Sequence, residues 1–160
     1  NYLMDKKFSN LPLRKGVGVA LLNKNNQIFV AKRIDNPNDF WQMPQGGIDK
    51  GENPLEAAYR ELDEETSIKN VELIYEVKEE ITYNLPDNLL GIIWKGKFKG
   101  QTQKWYIMRF LGEDNEINLN TKHPEFLEWK WINHENITDK VVEFKLHVYE
   151  KIKKELNKLI

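Results

Sequence analysis

Hydrophobic residues alternate with polar ones along the first part of the chain, and this pattern predicts β-strands. Residues 14–22 carry Val17, Val19 and Leu21 at alternate positions, and residues 27–33 form a second apolar run after an asparagine-rich turn. Two such runs around a short polar turn are typical of an antiparallel hairpin. We therefore predict a hairpin in this part of the chain.

Short apolar runs also recur through the middle of the chain. They predict strands over residues 71–77, 81–83, 89–94, 105–111 and 126–131. Between two of these runs, residues 95–104 hold four lysines, two glycines and no acidic residue, which indicates a mobile basic loop. The alternative for these lysines is plain solvation of a surface loop.

Two stretches show helical spacing of apolar residues. The first covers residues 54–67 and has Leu55, Ala58 and Leu62 on one side, and the second covers residues 142–160. Strands in the middle, with one helix among them and one at the end, predict an α/β fold. In such a fold helices cover both faces of a mixed sheet.

Length and composition limit the kinds of protein to consider. A chain of 160 residues suits one domain, residues 1–160, in which residues 1–13 form an irregular amino-terminal arm. The formal net charge of −1 gives no overall basic field, so a polyanion site must be a local patch. The chain has no cysteine and no apolar run near the roughly 20 residues of a membrane span. We expect a cytoplasmic monomer without a membrane partner.

Candidate chemistry concentrates on the first predicted helix. Glu61, Glu64 and Glu65 share one helical face, because a helix has about 3.6 residues per turn. Their charges repel one another, and a hard divalent cation that prefers oxygen ligands offsets this repulsion. The triplet is therefore either a solvated acidic face or a metal site. The glycine-bearing loop over residues 46–51, directly before the helix, favours the metal site.

The loop and helix together resemble the motif of a known family, the Nudix box. The box marks hydrolases of nucleoside diphosphates that are linked to another moiety. The matching residues, at the spacing of the motif, are Gly46, Glu52, Arg60, Glu61, Leu62, Glu64, Glu65 and Ile68. Ser67 departs from the motif, because the family usually has glycine at this helix end. The resemblance implies the Nudix α/β/α sandwich, with a mixed β-sheet between helices, over nearly the whole chain.

The resemblance also implies roles for individual residues. Divalent metal, Mg²⁺ or Mn²⁺, would be bound by Glu61, Glu64, Glu65, Gly46 and Glu125. The substrate would be bound by Arg14, Arg33, Phe144 and Lys145. Glu52 and Arg60 would brace the loop against the helix. The implied catalytic residues are the four glutamates Glu61, Glu64, Glu65 and Glu125, and the general base is either Glu125 or one of the helix glutamates.

Each residue outside the box also has a simpler interpretation from the sequence alone. Glu125 follows a proline and suits an ordinary loop position. Arg14 and Arg33 suit surface positions at strand ends, and Phe144 suits the hydrophobic core. These alternatives stay open at the level of sequence.

Further blocks are similar to one branch of the family, the bacterial RNA pyrophosphohydrolases and their relatives that cleave dinucleoside polyphosphates. Gln45, between Pro44 and Gly46, belongs to this pattern, as do residues 103–106, 124–131 and 142–145. The resemblance implies removal of pyrophosphate from the 5′-triphosphate end of RNA, which leaves a 5′-monophosphate and promotes RNA decay. The alternatives are cleavage of diadenosine tetra- or pentaphosphate, and a non-catalytic module that senses a nucleotide.

Overall fold

A seven-stranded mixed sheet forms the centre of the molecule. The computed structural model describes residues 8–160, so residues 1–7 of the predicted irregular arm lie outside the described residues. The strands are β1 (Leu13–Leu22), β2 (Gln27–Arg33), β3 (Gln45–Gly47), β4 (Val71–Glu76), β5 (Ile81–Asn84), β6 (Gly100–Phe110) and β7 (Phe126–Asn133). The predicted hairpin is present as β1 and β2, which pair antiparallel with Leu22 opposite Ile28.

The two longest strands, β1 and β6, lie side by side in the centre of the sheet. They run parallel, in register from the Leu13–Gly100 pair to the Leu22–Arg109 pair. The sheet order is β4-β6-β1-β2-β7, while β3 pairs with the first half of β1 and β5 with the first half of β6. The short strand β3 therefore carries the glycine loop directly onto the centre of the sheet.

In the described part of the chain, one of the two long helices packs on each face of this sheet. Helix α1 (Pro54–Thr66) packs Leu62 and its neighbouring alanines against side chains such as Val19 and Phe29. Helix α2 (Leu146–Leu159) packs Tyr149 and Ile152 against the opposite face. The predicted α/β architecture is confirmed. Within residues 8–160, no helix is both long and apolar enough to cross a membrane.

The ends of α1 follow from local hydrogen bonds. Asn53 caps the start, since its side chain accepts a hydrogen bond from the Glu56 backbone N–H at 2.8 Å. Ser67 ends the helix in the left-handed conformation, with φ of 66°, and its N–H donates to the Asp63 carbonyl. Its hydroxyl also donates to the Asn118 carbonyl at 2.8 Å. Ser67 thus adopts the backbone shape usually left to glycine.

Residues 89–94 are not the strand that the sequence predicts. The backbone N–H groups of Leu89 and Leu90 both donate to the Pro86 carbonyl, and Gly91 has a φ of 78°, so the chain coils in tight turns. The side chains of Ile93 and Trp94 still pack against the core. An apolar run can be buried by turns as well as by a strand, and the sequence pattern does not separate the two.

Two boundaries also differ from the prediction. The proposed basic loop over residues 95–104 is shorter, because β6 already begins at Gly100, and Lys104 forms an ion pair of 3.3 Å with Glu76. Helix α2 begins at Leu146, after a single turn of 3-10 helix over Glu143–Lys145. Strand pairing and a change of helix type are not visible in hydrophobic spacing.

Candidate active site

Arg60 joins the glycine loop to α1. Its guanidinium donates to both carboxylate oxygens of Glu52, at 2.7 and 2.9 Å, and to the Gly47 carbonyl at 2.8 Å. The Arg60 guanidinium and the Asp49 backbone N–H together lower the pKa of Glu52 to about 2. A two-pronged arginine–carboxylate pair is geometrically specific. The contact holds the loop at a fixed place beside the helix.

The glutamates of α1 have three different environments. Glu64 is the exposed member, and Glu61 is mostly buried against Gly46, where a Cβ would collide with its carboxylate. Arg60 Nη1 lies 2.9 Å from Glu61 and 3.1 Å from Glu64. Glu65 is only 3% exposed. One helical face thus carries carboxylates that range from solvated to fully enclosed.

One carboxylate oxygen of Glu65, Oε2, is buried without a hydrogen-bond partner among residues 8–160, as is the Thr121 hydroxyl oxygen. Burial raises the pKa of Glu65 well above its usual value, and the nearby Glu61 and Glu125 carboxylates raise it further. Burial also raises the pKa of Glu61. A buried carboxylate without a cation carries a large desolvation cost, so a cation beside Glu65 would stabilise its charged form.

The chemistry of this donor set suits a divalent cation. Among the described residues, no three His, Cys, Asp or Glu side chains are placed so that they could hold a metal ion. Arg60 Nη1 lies against the Glu61 and Glu64 carboxylates. The unpaired Glu65 oxygen and the hard oxygen character of all these donors match the preference of Mg²⁺ and Mn²⁺. Hydrolases with this motif generally use a divalent metal.

Glu125 reaches the same place from the loop before β7. Its backbone carbonyl accepts a hydrogen bond from the Ile34 N–H at 2.9 Å, which ties this loop to the end of β2. We use the term carboxylate cleft for the surface hollow lined by Glu61, Glu64, Glu65 and Glu125. Across the cleft, Arg33 Nη1 lies 4.0 Å from Glu125 Oε2. The structure therefore brings together all four glutamates that the resemblance implies.

A larger hollow of about 470 Å³ opens on the α2 side of the sheet. We call it the aromatic cavity, because the rings of Phe40, Trp41, Tyr83, Trp94 and Phe144 line it. The predicted substrate residues Arg33, Phe144 and Lys145 lie in its wall. Arg33 also lies beside Glu125, so one residue of the cavity wall is next to one residue of the carboxylate cleft.

Lys145 is the enclosed cation of this cavity. Its Nζ lies 5.3 Å from the centre of the Tyr83 ring and 5.9 Å from that of Phe144. Burial lowers the pKa of Lys145 to about 8, with a further contribution from Arg33. The Phe144 and Tyr83 rings are 5.7 Å apart and tilted. Phe144 is therefore only partly in the core, and its ring reaches the cavity wall.

Arg14 stands apart from the other predicted substrate residues. Its guanidinium donates to Gln101 Oε1 at 3.0 Å and lies 5.2 Å from the centre of the Trp94 ring, against Gly47. It contacts the aromatic cavity through Trp94, and the cavity wall itself is formed by other residues. Gln101 in turn donates to the Tyr83 hydroxyl at 2.8 Å.

The sequence did not single out Tyr83, Trp94 or Gln101 as site residues. The sequence did contain one signal for Gln101. Gln101, Gln103 and Trp105 occupy alternate, inward positions of one strand, and two amides beside a tryptophan on an inward face indicate a buried polar network. For Tyr83 and Trp94, no local signal separates a cavity wall from a core position.

Comparisons with known proteins indicate the family of this chain. A NUDIX domain model matches residues 12–152. An RNA pyrophosphohydrolase of Pelagibacter ubique is 70% identical over 151 residues, which cover 94% of this chain and 96% of that protein. An RNA pyrophosphohydrolase of Rhodospirillum rubrum is 48% identical over 148 residues, with coverage of 92% and 89%.

A solved structure supports the architecture independently of close sequence similarity. The E. coli dihydroneopterin triphosphate pyrophosphohydrolase superposes with a TM-score of 0.70 at 20% identity, over 90% of this chain and 99% of that one. At this level of identity the likeness concerns the fold alone, and it confirms the predicted α/β/α sandwich. Together with the domain match and the two close relatives, it shows that this chain belongs to the Nudix family.

Proposed function

We propose that this chain is an RNA 5′-pyrophosphohydrolase, which removes pyrophosphate from a 5′-triphosphate end and leaves a 5′-monophosphate. The observation that carries the proposal is the 4.0 Å distance between Arg33, in the wall of the aromatic cavity, and Glu125, in the carboxylate cleft. A phosphate chain needs cations and a proton acceptor, and the nucleotide attached to it needs an aromatic wall. The printed names of the two close relatives support the same activity.

Different residues serve substrate binding and hydrolysis. A divalent cation at the carboxylate cleft, Mg²⁺ or Mn²⁺, would supply charge neutralisation for the phosphates and acidify water. Arg33 and Lys145 hold phosphate oxygens. Arg33 donates its Nε and Nη2 to Asp35 at 2.8 and 2.9 Å, so its Nη1, which faces Glu125, is the group left for a phosphate oxygen. Phe144 and Tyr83 offer ring faces to a base, and base stacking on an aromatic ring is worth about 1–3 kcal/mol. We assign proton abstraction to Glu125, which is exposed in the cleft and whose carboxylate lies 4.0 Å from Arg33 Nη1.

Hydrolysis of dinucleoside polyphosphates is the second candidate. The aromatic cavity has room for one nucleoside, and nothing in its wall separates an RNA end from the end of a diadenosine polyphosphate. A phosphate chain between two nucleosides would meet the same carboxylates. The two substrates therefore differ only in the group that is released from the far end of the phosphate chain.

The proposal is tested by measuring pyrophosphate release from a 5′-triphosphate RNA in the presence of Mg²⁺ or Mn²⁺. We expect turnover by the wild type and its loss in Glu64→Gln, since that carboxylate lies in the cleft without a structural role in the core. Glu56→Gln, at the other end of the same helix, is the matched control and should keep wild-type activity. Glu64→Gln activity within about twofold of the wild type would reject the metal-site assignment, because loss of a catalytic acid–base or metal ligand typically costs far more. Binding without any turnover would instead favour a sensing module.

A further inference from the structure

Gln45 lies in the wall of the aromatic cavity, next in sequence to the glycine that contacts the carboxylate cleft. It is the first residue of β3 and lines the cavity, while the next residue, Gly46, lies against the Glu61 carboxylate. Two donors converge on its side-chain carbonyl Oε1, namely Gln103 Nε2 at 2.6 Å and Lys145 Nζ at 3.5 Å. Within the described part of the chain, Gln45 Nε2 donates to no other group.

A buried tryptophan dictates the orientation of this amide. The Trp105 indole N–H can only donate, and it donates to Gln103 Oε1 at 3.1 Å. The Gln103 Nε2 then faces Gln45. Because an amide nitrogen does not accept a hydrogen bond, the acceptor on Gln45 must be its Oε1. The Lys145 ammonium is also a donor and selects the same orientation.

The relay is protected from water along most of its length. Trp105 and Gln103 are each 1% exposed. If the Gln103 amide were reversed, its NH2 group would face the Trp105 indole N–H, and both groups are donors. This loss of a hydrogen bond would cost free energy, because water does not reach the buried site to replace it. The Nε2 of Gln45 is therefore left without a partner among residues 8–160, on a side chain that lines the cavity.

We propose that Gln45 contacts the substrate, that its Nε2 donates to a phosphate oxygen, and that Gln103 and Trp105 are positioning residues for this contact. The inference rests on the proposed function and deepens it. A phosphate oxygen is the acceptor that suits this place, because Lys145 and Arg33 supply cations in the same wall. An anionic oxygen accepts from amide N–H groups and ammonium groups together, and such charge-assisted bonds are stronger than neutral ones.

The test measures binding rather than turnover. Calorimetry would compare the dissociation constants of a 5′-triphosphate RNA dinucleotide, carrying a non-hydrolysable imido link between the phosphates, and of the same dinucleotide with a 5′-hydroxyl. Each titration is run with Mg²⁺ and again with a chelator, since the Gln45 contact needs no metal. The variants are Gln45→Met and Gln103→Met, which keep side-chain length and remove the amide. Gln27→Met is the control, because Gln27 lies at the hairpin turn and bonds Asn23.

We expect Gln45→Met to weaken triphosphate binding about tenfold or more, the usual range for a hydrogen bond to a charged group. Gln103→Met should weaken it about two- to tenfold, although that residue does not reach the cavity. Binding of the 5′-hydroxyl dinucleotide and the thermal midpoint should stay close to the control. If Gln103→Met destabilises the protein, Gln103→Glu serves instead, because it keeps the acceptor for Trp105 and removes the donor to Gln45.

Two results would overturn the inference. One is unchanged triphosphate binding in Gln45→Met, and the other is an equal loss of affinity for both dinucleotides. A parallel assay of pyrophosphate release by the wild type separates this inference from the proposed function. If the wild type releases pyrophosphate and Gln45→Met binds the triphosphate normally, only the inference about Gln45 is contradicted. If Gln45→Met loses triphosphate binding selectively but the wild type releases no pyrophosphate, only the proposed function is contradicted.

Discussion

The Glu65 carboxylate is buried without a full set of hydrogen-bond partners. It is 3% exposed, and its Oε2 has no hydrogen-bond partner among residues 8–160. An unpaired buried polar group costs about 1–3 kcal/mol, and more when it is charged. Native proteins accept such a cost mainly where function requires it. At the scale of single residues, Glu65 is therefore the strongest sign that the carboxylate cleft is built for a cation.

We predict that Glu65→Gln separates stability from metal binding. Without metal, its thermal midpoint should equal or exceed that of the wild type, because a neutral amide costs less to bury beside Glu61 than a carboxylate. Mg²⁺ or Mn²⁺ should raise the midpoint of the wild type more than that of the variant, since a ligand of the folded state stabilises it. Thermal scans with each metal and with a chelator make the comparison. Equal shifts in both proteins would remove Glu65 from the metal ligands.

Glu125→Gln tests the assignment of the base. The substitution removes proton acceptance and keeps the shape, so kcat and kcat/KM should fall together by about 10²–10⁴-fold, the usual effect of losing a general base. Nucleotide binding should change little. The control is thermal stability, which an exposed substitution should move by only about 0.5 kcal/mol. A normal kcat at saturating Mg²⁺ would show that a glutamate of α1 supplies the base.

Lys145 should make the reaction sensitive to alkaline pH. Burial lowers its pKa to about 8, so the ammonium is charged below that pH and neutral above it. The predicted result is a fall of kcat/KM as pH rises through about 8, because kcat/KM reports the free enzyme and a neutral amine holds phosphate poorly. Lys145→Arg stays charged and should extend the plateau to higher pH. The same downturn in both proteins would assign it to another group.

At the scale of elements, α1 and its glycine loop could be predicted because their determinants are close in sequence. Asn53, Arg60 and Glu52 lie within one loop and two turns of helix, and each makes its contact there. Residues 89–94 could not be predicted in the same way. Their apolar pattern fits a strand, whereas the turns depend on the Pro86 carbonyl and on packing against distant elements.

The Arg60–Glu52 contact predicts an acid-sensitive contribution to stability. The pKa of Glu52 is lowered from 4.5 to about 2, so its contribution is present above about pH 4.5 and is lost as pH falls through about 2. The wild type should unfold at higher urea than Glu52→Gln at neutral pH. The gap should stay constant down to about pH 4.5 and close as pH approaches about 2. A gap that does not depend on pH would mean that Glu52 acts through its shape alone.

At the scale of the whole molecule, the site joins residues that the sequence keeps far apart. Glu125 lies about sixty residues beyond α1, and the resemblance alone indicated its place in the cleft. Tyr83, Trp94 and Phe144 come from three separate segments and form one cavity wall. Periodicity describes which face of an element is apolar. It contains no information about which faces enclose an open space, so the cavity can be identified only in the folded structure.

A competition between two substrates tests the identity of the substrate. The wild type would receive a 5′-triphosphate RNA and diadenosine pentaphosphate together, with Mg²⁺, and both products would be followed to give the ratio of the two kcat/KM values. We predict that the RNA is cleaved with the higher kcat/KM and yields pyrophosphate and a 5′-monophosphate end. Preferred cleavage of diadenosine pentaphosphate, with the RNA end left as a triphosphate, would contradict this prediction.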